Sequence, residues 1–194
     1  TKDTLFANQT KLKLVTNCRP GKRTYQAYVL TEYLAYRIFN LLTDNSFRVR
    51  LVDMTYYDMK KNKRLHSSLG FFIEHKKRMA ERLGAEHIEL NQVPRSQLDA
   101  HQAALVAVFQ YMIGNTDWSI LKGEGEEECC HNAKLIETAD RRTLGIPYDF
   151  DFAGMVSAEY AFVTSGIPIG DVRQRYYRGF CMHNDGLDEV FDLI

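Results

Sequence analysis

Oxygen-bearing side chains are concentrated in one stretch of the chain, residues 114–152. Those at the ends of apolar segments are Asp117, Asn132, Asp149 and Asp151. Carboxylate and amide oxygens are the ligands that Mg²⁺ prefers, and a carboxylate on a loop held by a helix can accept a proton. The stretch therefore predicts a metal site with a base beside it.

Two of these acids lie close together among aromatic residues. In an extended segment Asp149 and Asp151 share one side, while Tyr148, Phe150 and Phe152 take the other. Neighbouring carboxylates repel each other unless a cation lies between them, so we expect a metal site here. The alternative is salt bridging to an arginine, for which the candidates are Arg141, Arg142 and Arg175.

The other two residues have different predicted roles. Asp117 follows closely on Gly114, which ends a long helix, so we expect it to accept or orient the proton of a substrate hydroxyl. Asn132 can supply an amide oxygen to the metal. Both residue types are also common in turns, which is the alternative for each. We expect His131 at the surface, with metal ligation or a hydrogen bond to Asp117 as its alternatives.

Transfer of a phosphoryl group also needs a cation on the phosphates and a residue that fixes this cation. Lys13 is the candidate, preferred to Lys11 on the same face of a strand. Glu32 is the only acid between residues 25 and 42, in an apolar helix where an unpaired buried carboxylate is costly. The prediction is a Lys13–Glu32 pair, and the alternative is a hydrated Glu32 on an exposed helix face.

The elements that must position these residues follow from hydrophobic periodicity. Helices are predicted at residues 25–42 and 76–83, and from Ser96 to Gly114, with Asp99 completing a capping box. Strands are predicted at residues 11–15, 47–57, 68–74, 133–137 and 144–152. A basic hairpin is expected at residues 60–64, and loops and helices from residue 153 onwards.

Length and composition set limits on the class of protein. The 194 residues suit one domain, or two small lobes that share a cleft. Basic and acidic residues are equal in number, which argues against a nucleic-acid groove supported by bulk positive charge. No apolar run approaches the roughly 18 residues of a membrane span. Cys129 and Cys130 are expected to be reduced and structurally incidental, with zinc ligation as the alternative.

Several motifs resemble those of the atypical protein-kinase-like fold of the spore-coat kinase CotH, and more distantly its HipA-type and lipid-kinase-like branches. The catalytic-type motifs are Gly114-Asn115-Thr116-Asp117, the isolated Asn132, and Tyr148-Asp149-Phe150-Asp151. The first half is also similar, with Lys11-Leu12-Lys13-Leu14 on a strand, Glu32 on a helix, and Phe71-Phe72-Ile73-Glu74 where a strand reaches the hinge. The resemblance covers most of residues 10–152.

The resemblance implies one α+β domain over residues 1–194, in which ATP binds between two lobes. These are a β-rich N-lobe with one packed helix (1–75), expected to lack its first strand or strands, and a mostly helical C-lobe (76–194), expected to continue further. In the implied site Lys13 holds phosphates with Glu32 as its partner, and Glu74 lies at the nucleotide-binding hinge. Asp117 is the base, and the implied metal ligands are Asn132, Asp149 and, second to it, Asp151.

Two features depart from the family's pattern. Its base and asparagine are close in sequence, whereas the insert of residues 119–131 separates Asp117 from Asn132 here. The role of Asn132 therefore requires that the insert loops out and returns. The chain also has no glycine-rich phosphate loop of the kind that covers the phosphates in protein kinases.

The expected function is ATP- and Mg²⁺-dependent phosphoryl transfer to a hydroxyl on a protein or a small molecule. One alternative is a metal-dependent phosphohydrolase that uses Asp117, His131, Asp149 and Asp151. Another is a non-catalytic nucleotide-binding or interaction module of the same fold. The expected partners are a nucleotide and a phospho-acceptor, without nucleic acid and without a membrane span.

Overall fold

A computed structural model describes residues 11–123 and 128–193. The first half contains β1 (Lys13–Val15), α1 (Arg23–Leu42), β2 (Val49–Asp58) and β3 (Lys63–Ile73). The three strands form one antiparallel sheet in the order β1-β3-β2. The predicted first helix, the strands and the basic hairpin are confirmed, and β3 begins five residues before the predicted start at 68.

Helix α1 covers one face of this sheet. Its apolar side chains recur every three or four residues, and this places Val29, Ala35, Tyr36 and Phe39 in the core. The ring of Tyr36 packs on Phe71 of β3 at 5.6 Å between centroids. The opposite face of the sheet is not covered by α1, so residues such as Arg50 and Leu14 remain exposed.

The second half begins with α2 (Lys76–Arg82) and β4 (Ala85–Ile88), followed by α3 (Ala100–Ile113). Asp99 caps α3 by accepting a hydrogen bond from the backbone N–H of Gln102 at 2.8 Å. The prediction that this helix starts at Ser96 is wrong, because residues 95–97 form a separate 3₁₀ turn and Asp99 is the cap itself. Gly114 ends α3 in the left-handed conformation, as predicted.

A second antiparallel sheet joins β4 to β5 (Ala133–Thr138) and β6 (Thr143–Pro147). The sequence did not predict β4, whose short run contains Glu86 and His87. Strand β6 ends at Pro147 instead of 152, because Asp149 adopts a φ of 64° that no strand can accommodate. The prediction that Asp149 and Asp151 share one face of a strand is therefore wrong.

Residues 148–180 contain no helix or strand; the first part of this segment is buried, with Phe150 and Ala153 fully inaccessible, and most of the residues after 158 are exposed or half-buried. A 3₁₀ turn at Cys181–Gly186 and the short α4 (Leu187–Phe191) follow and pack against α3. The protein is α+β as predicted, but its second half contains a sheet and a long irregular segment as well as helices. Among the described residues, no helix has both the length and the apolar character needed to cross a membrane.

Aromatic side chains join the two halves in one core. Phe39 of α1 contacts Phe109 of α3 with 4.6 Å between ring centroids, and Phe109 contacts Phe150 at 5.5 Å. Phe150 is fully buried and also packs on Tyr36 at 4.7 Å. Because each fully buried aromatic ring contributes about 1.5–3 kcal/mol, this cluster holds the segment of residues 148–152 firmly against α1 and α3.

Candidate functional site

The loop after α3 positions Asp117. Gly114 turns the chain out of the helix, and the side chain of Asn115 then accepts a hydrogen bond from the backbone N–H of Asp117 at 2.9 Å. Asn115 and Thr116 are buried, so the loop is packed into the protein. Asp117 thus lies on a short, rigid connection at the end of a buried helix, as the sequence predicted.

His131 and Asn132 both bind the carboxylate of Asp117. The Nε2–H group of His131 donates to Oδ1 at 2.8 Å, and Nδ2 of Asn132 donates to Oδ2 at 2.9 Å and to the backbone oxygen of Asp117 at 2.8 Å. The expectation of a surface His131 is wrong, because its half-buried ring realises the alternative contact with Asp117. Because the Asn132 amide nitrogen donates to Asp117, the Oδ1 atom of Asn132 is oriented away from that carboxylate.

The insert between Asp117 and Asn132 loops out and returns. The backbone N–H of Ser119 donates to the carbonyl oxygen of His131 at 2.9 Å, which closes the excursion at its base. A separation of fifteen residues in sequence therefore becomes direct contact in space. Asn132 also adopts a left-handed φ of 51°, which turns its side chain towards Asp117 before β5 begins.

Cys129 and Cys130 lie in the returning arm of this insert and are joined to each other by a disulfide. The prediction of reduced, structurally incidental cysteines is therefore wrong for this pair. Both residues are buried, and a sulfur that is already bonded to another sulfur is not a thiolate ligand for zinc.

Residues 148–152, which follow β6 and carry Asp149 and Asp151, are held by α1; we call them the acid segment. The backbone N–H of Asp149 donates to the hydroxyl oxygen of Tyr36 at 2.8 Å, and the backbone N–H of Phe150 donates to the carboxylate of Glu32. Asp149 is in the left-handed region, which is uncommon for a residue with a side chain and is typical of functional sites when the surroundings enforce it.

The predicted alternative for the two acids was a salt bridge to an arginine, and the structure places each of those arginines elsewhere. Arg141 pairs with Glu137, Arg142 pairs with Asp99 and Asp140, and Arg175 donates to the backbone oxygen of Met112. Asp149 and Asp151 are in the described part of the chain, and neither forms an ion pair with any arginine there. The salt-bridge alternative is therefore wrong.

Glu32 lies in the interior beside these acids. Its residue is only 4 % exposed, and burial, reinforced by the charges of Asp149 and Asp151, raises the pKa of Glu32 to about 8. The positive charge of Lys13 acts in the opposite direction. The alternative of a hydrated Glu32 on an exposed helix face is wrong.

The predicted Lys13–Glu32 pair is present only as a longer-range interaction. Both residues are described, and no ion pair joins them; the Lys13 ammonium instead lies 4.7 Å from the centroid of the Tyr148 ring. A cation over an aromatic face is attracted by the ring's negative face. Lys13 is thus directed towards the gap between β1 and the acid segment.

Asp151 interacts electrostatically with Glu32 of α1 and with Asp117 in the loop after α3. Burial raises the pKa of Asp151, the negative charges of Asp149 and Asp117 raise it further, and a hydrogen bond with Tyr160 opposes them. The charges of Lys13, Asp149 and Asp151 act on Glu32, and those of Asp149 and Asp117 act on Asp151. Asn132 binds Asp117 directly.

A pocket of about 240 Å³ adjoins this group on the Lys13 side. It lies between the two sheets and is lined by Lys13, Phe47, Ile73, Glu74, His75, Lys76, Lys134 and Tyr148. Glu74 borders the pocket as predicted, but Arg82 binds its carboxylate in a two-point contact at 3.0 and 2.9 Å. The Glu74 carboxylate is therefore engaged within the protein, and the Glu74 N–H is also used, on the carbonyl oxygen of Arg48 at 2.9 Å.

A larger pocket of about 550 Å³ lies on the outer face of the first sheet and contains none of the predicted catalytic residues. A large concave surface is a default candidate for a functional site. The acid cluster is the better candidate for chemistry, because it combines a buried carboxyl of raised pKa with acids that repel one another.

Arg178 is a residue of this region that sequence reasoning missed. Its Nη1 donates to the backbone oxygens of Thr116 and Trp118, on either side of Asp117, and its guanidinium lies 5.5 Å from the Trp118 ring centroid. Burial lowers the pKa of Arg178, and the charge of Asp117 counteracts this effect. The one available signal was a single cation in the otherwise uncharged run Tyr176–Phe180.

The donor set of the acid cluster suits a hard cation. Within the described residues, no group of three or more His, Cys, Asp and Glu side chains is arranged to hold a metal ion by itself. Two carboxylates and the Asn132 amide oxygen fit Mg²⁺, which usually keeps several waters and shares its coordination with phosphate oxygens.

Comparison of the chain with models of protein families, with curated proteins and with solved structures gives no match.

Proposed function

We propose that this protein is an ATP- and Mg²⁺-dependent phosphotransferase of the two-lobed, CotH-like kinase type, acting on a hydroxyl group of a protein or a small molecule. The observation that carries the proposal is that Asp149 and Asp151 lie in a segment held by α1, through Tyr36 and Glu32. Their charges raise the pKa of Glu32, and the charge of Asp117 raises the pKa of Asp151. Acids that are distant in sequence, close in space and without an arginine partner make a site that favours a cation.

Each residue then has a role that its position supports. Asp149, Asp151 and Oδ1 of Asn132 would hold Mg²⁺, which when bound neutralises charge on the phosphate oxygens. Lys13 would bind phosphate oxygens from the opposite side. The adenine ring would occupy the pocket beside Tyr148.

Asp117 is the proposed base. His131 and Asn132 fix the orientation of its carboxylate, so that it can accept the proton of an acceptor hydroxyl without rearranging. The hydroxyl oxygen then forms a bond to the γ-phosphorus as the bond to the ADP oxygen breaks. Arg178 holds the carbonyl groups before and after Asp117, which restricts movement of the base.

The contact between His131 and Asp117 favours one other candidate, a metal-dependent phosphohydrolase. A histidine and an aspartate joined at 2.8 Å can together remove a proton from water instead of from an acceptor hydroxyl. A non-catalytic nucleotide-binding module would use Lys13 and the acid cluster without the base.

Thermal unfolding with nucleotide separates these candidates. ATP with Mg²⁺ should raise the melting temperature of a kinase or of a binding module, since a ligand at about 100 times its Kd stabilises by roughly 2.7 kcal/mol. The hydrolase should respond to the metal alone. If neither ATP with Mg²⁺ nor Mg²⁺ alone shifts the transition, the proposal is wrong.

Single-turnover assays with γ-labelled ATP then assign the roles. We expect Asp149→Ala to lose Mg²⁺-dependent nucleotide binding, and Asp117→Ala to keep binding and lose transfer of label. Asp53→Ala, an exposed acid on β2, is the control and should resemble the wild type. Equal nucleotide affinity in the wild type and in both site variants would refute the assignment of Asp149. Label released only as inorganic phosphate would favour the hydrolase.

A further inference from the structure

The large pocket on the outer face of the first sheet is rich in arginine. Four arginines line its 550 Å³: Arg48 just before β2, Arg50 on β2, and Arg78 and Arg82 on α2. Two glutamates also line it, which leaves a surplus of two positive charges. It contains neither Lys13 nor any acid of the candidate active site, so a ligand here would occupy a separate site.

One wall of this pocket is built rigidly. Arg82 binds both carboxylate oxygens of Glu74 and donates to the backbone oxygens of Asp44 and Ser46 at 3.1 and 2.7 Å. The side chains of Arg82 and Glu74 are 17 % and 12 % exposed, so this pair is largely withdrawn from water. Because Glu74 neutralises Arg82, the pair supports the pocket and leaves the recognition of a ligand to other residues.

Arg78 is paired with Glu81 at 2.8 Å, as Arg82 is with Glu74, so Arg48 and Arg50 are the two candidates for binding a ligand. Arg50 lies on β2 and Arg48 directly precedes this strand, and both side chains line the pocket on the face of the sheet that α1 does not cover. The backbone of Arg48 is fixed on both sides by Glu74: its N–H donates to the Glu74 carboxylate at 3.1 Å, and its carbonyl accepts from the Glu74 N–H at 2.9 Å. In the described part of the chain, neither guanidinium has a carboxylate partner.

The remaining lining defines the chemistry of the ligand. Phe72 pairs with Arg50 across the strands, and Leu12 also lines the pocket, so apolar side chains lie beside the guanidinium groups of Arg48 and Arg50. The planar donors of arginine match the oxygens of a phosphate group in two-point contacts. The geometry points to a binding site for a phosphate monoester that carries a small apolar or aromatic group.

This site is independent of the proposed phosphotransferase activity, although the two pockets share Ile73 and Glu74 at the end of β3. The recognised group can belong to a free metabolite-sized molecule or to a phosphorylated side chain of a peptide. Both sources present the same dianion on an apolar stem, and the test includes an arm for each.

Calorimetric titration with phenyl phosphate, without nucleotide or metal, tests the site. We expect the wild type to bind, and Arg48→Gln/Arg50→Gln to bind at least about tenfold more weakly, because it lacks both charge-assisted contacts. Lys60→Gln/Lys61→Gln removes the same charge from the exposed turn between β2 and β3 and should leave the affinity unchanged. Lys13→Ala should also leave it unchanged, since Lys13 lines the other pocket.

Absence of binding to the wild type would overturn the proposal, as would equal affinity in Arg48→Gln/Arg50→Gln. A loss in Lys60→Gln/Lys61→Gln of similar size would reduce the effect to bulk charge, and a loss in Lys13→Ala would move the binding to the other pocket. Arg48→Lys/Arg50→Lys keeps the charge and the exposed strand position, and it should still weaken binding if the planar fork matters. A phosphotyrosyl peptide that binds more tightly than phenyl phosphate would assign the source to a phosphorylated protein.

Discussion

The hydroxyl oxygen of Tyr36, in the middle of α1, accepts a hydrogen bond from the backbone N–H of Asp149 at 2.8 Å. Tyr36 is 2 % exposed, and its ring is locked between Phe71 and Phe150. The first helix therefore determines where the chain turns after β6. This contact fixes the backbone of Asp149, which has a left-handed φ of 64°, against α1, where Glu32 also accepts a hydrogen bond from the backbone N–H of Phe150.

Tyr36→Phe removes this acceptor and keeps the ring. The N–H of Asp149 then loses its partner, so we expect the free energy of unfolding to fall by about 1–3 kcal/mol. Urea denaturation monitored by circular dichroism gives this value. The matched control is Tyr33→Phe on the same helix, whose ring also contacts Phe71. Equal losses in the two variants would show that the Tyr36 hydroxyl does not hold the acid segment.

Burial of Glu32 predicts a specific dependence of stability on pH. The pKa of Glu32 is raised to about 8 from an ordinary value of 4.5, so the folded state binds this proton more tightly than the unfolded state. The stabilisation is complete below pH 4.5 and is lost as the pH rises towards 8. The total change amounts to about 3–5 kcal/mol for a shift of this size.

Glu32→Gln removes this titration, so its free energy of unfolding should vary less between pH 5 and 8 and should exceed that of the wild type at the alkaline end. Glu86→Gln, at an exposed position of β4, is the control. Denaturation curves at several pH values measure both. If the free energy of unfolding of the wild type rises between pH 5 and 8, and that of Glu32→Gln changes in parallel, the raised pKa assigned to Glu32 is wrong.

The parts of the site that the sequence predicted depend on local pattern. The period of α1 and the turn at Gly114 are encoded by neighbouring residues, so Glu32 and Asp117 could be placed on the correct elements. The acids around Asp149 follow an alternating pattern typical of a strand, and only the distant hydroxyl of Tyr36 interrupts it. Contacts of this kind join residues more than a hundred positions apart and leave no periodic signal.

Arg178 and His131, which contact the loop that carries Asp117, show the same limit of prediction from local sequence. His131 is bound to Asp117 because the insert returns on itself through backbone hydrogen bonds, which residue types do not specify. Arg178 reaches the loop from a segment without regular structure, sixty positions away from Trp118. In both cases the side chain alone was compatible with an ordinary surface or packing residue.

Arg178→Lys should loosen the loop that carries Asp117. A lysine keeps the charge but lacks the planar group that donates to the oxygens of Thr116 and Trp118. We expect a loss of about 1–3 kcal/mol in the free energy of unfolding, and faster amide exchange at residues 115–119. Arg175→Lys is the matched control, because Arg175 makes one exposed contact with a backbone oxygen, that of Met112. Unchanged exchange in Arg178→Lys would remove its role in holding the loop.

Gly154 is the point where the acid segment and the later irregular segment meet. Its backbone N–H donates to the oxygen of Gly114 at 3.0 Å, and a Cβ added here would collide with the backbone oxygen of Val172 and lie 2.9 Å from Cα of Arg173. Because these are backbone atoms, they cannot move aside as a flexible side chain would.

We therefore expect Gly154→Ala to displace the segment around residue 172 and to reduce the free energy of unfolding by about 1–3 kcal/mol, the usual effect of overpacking. At Gly170 an added Cβ would meet nothing closer than the Gln174 side chain at 4.0 Å, so Gly170→Ala should be nearly neutral. Urea denaturation compares the two variants, and limited proteolysis should cut residues 160–180 faster in Gly154→Ala alone. If Gly154→Ala keeps the wild-type stability and cleavage rate, the segment that carries Arg178 does not pack on Gly154. That segment would then hold the Asp117 loop without support from Gly154.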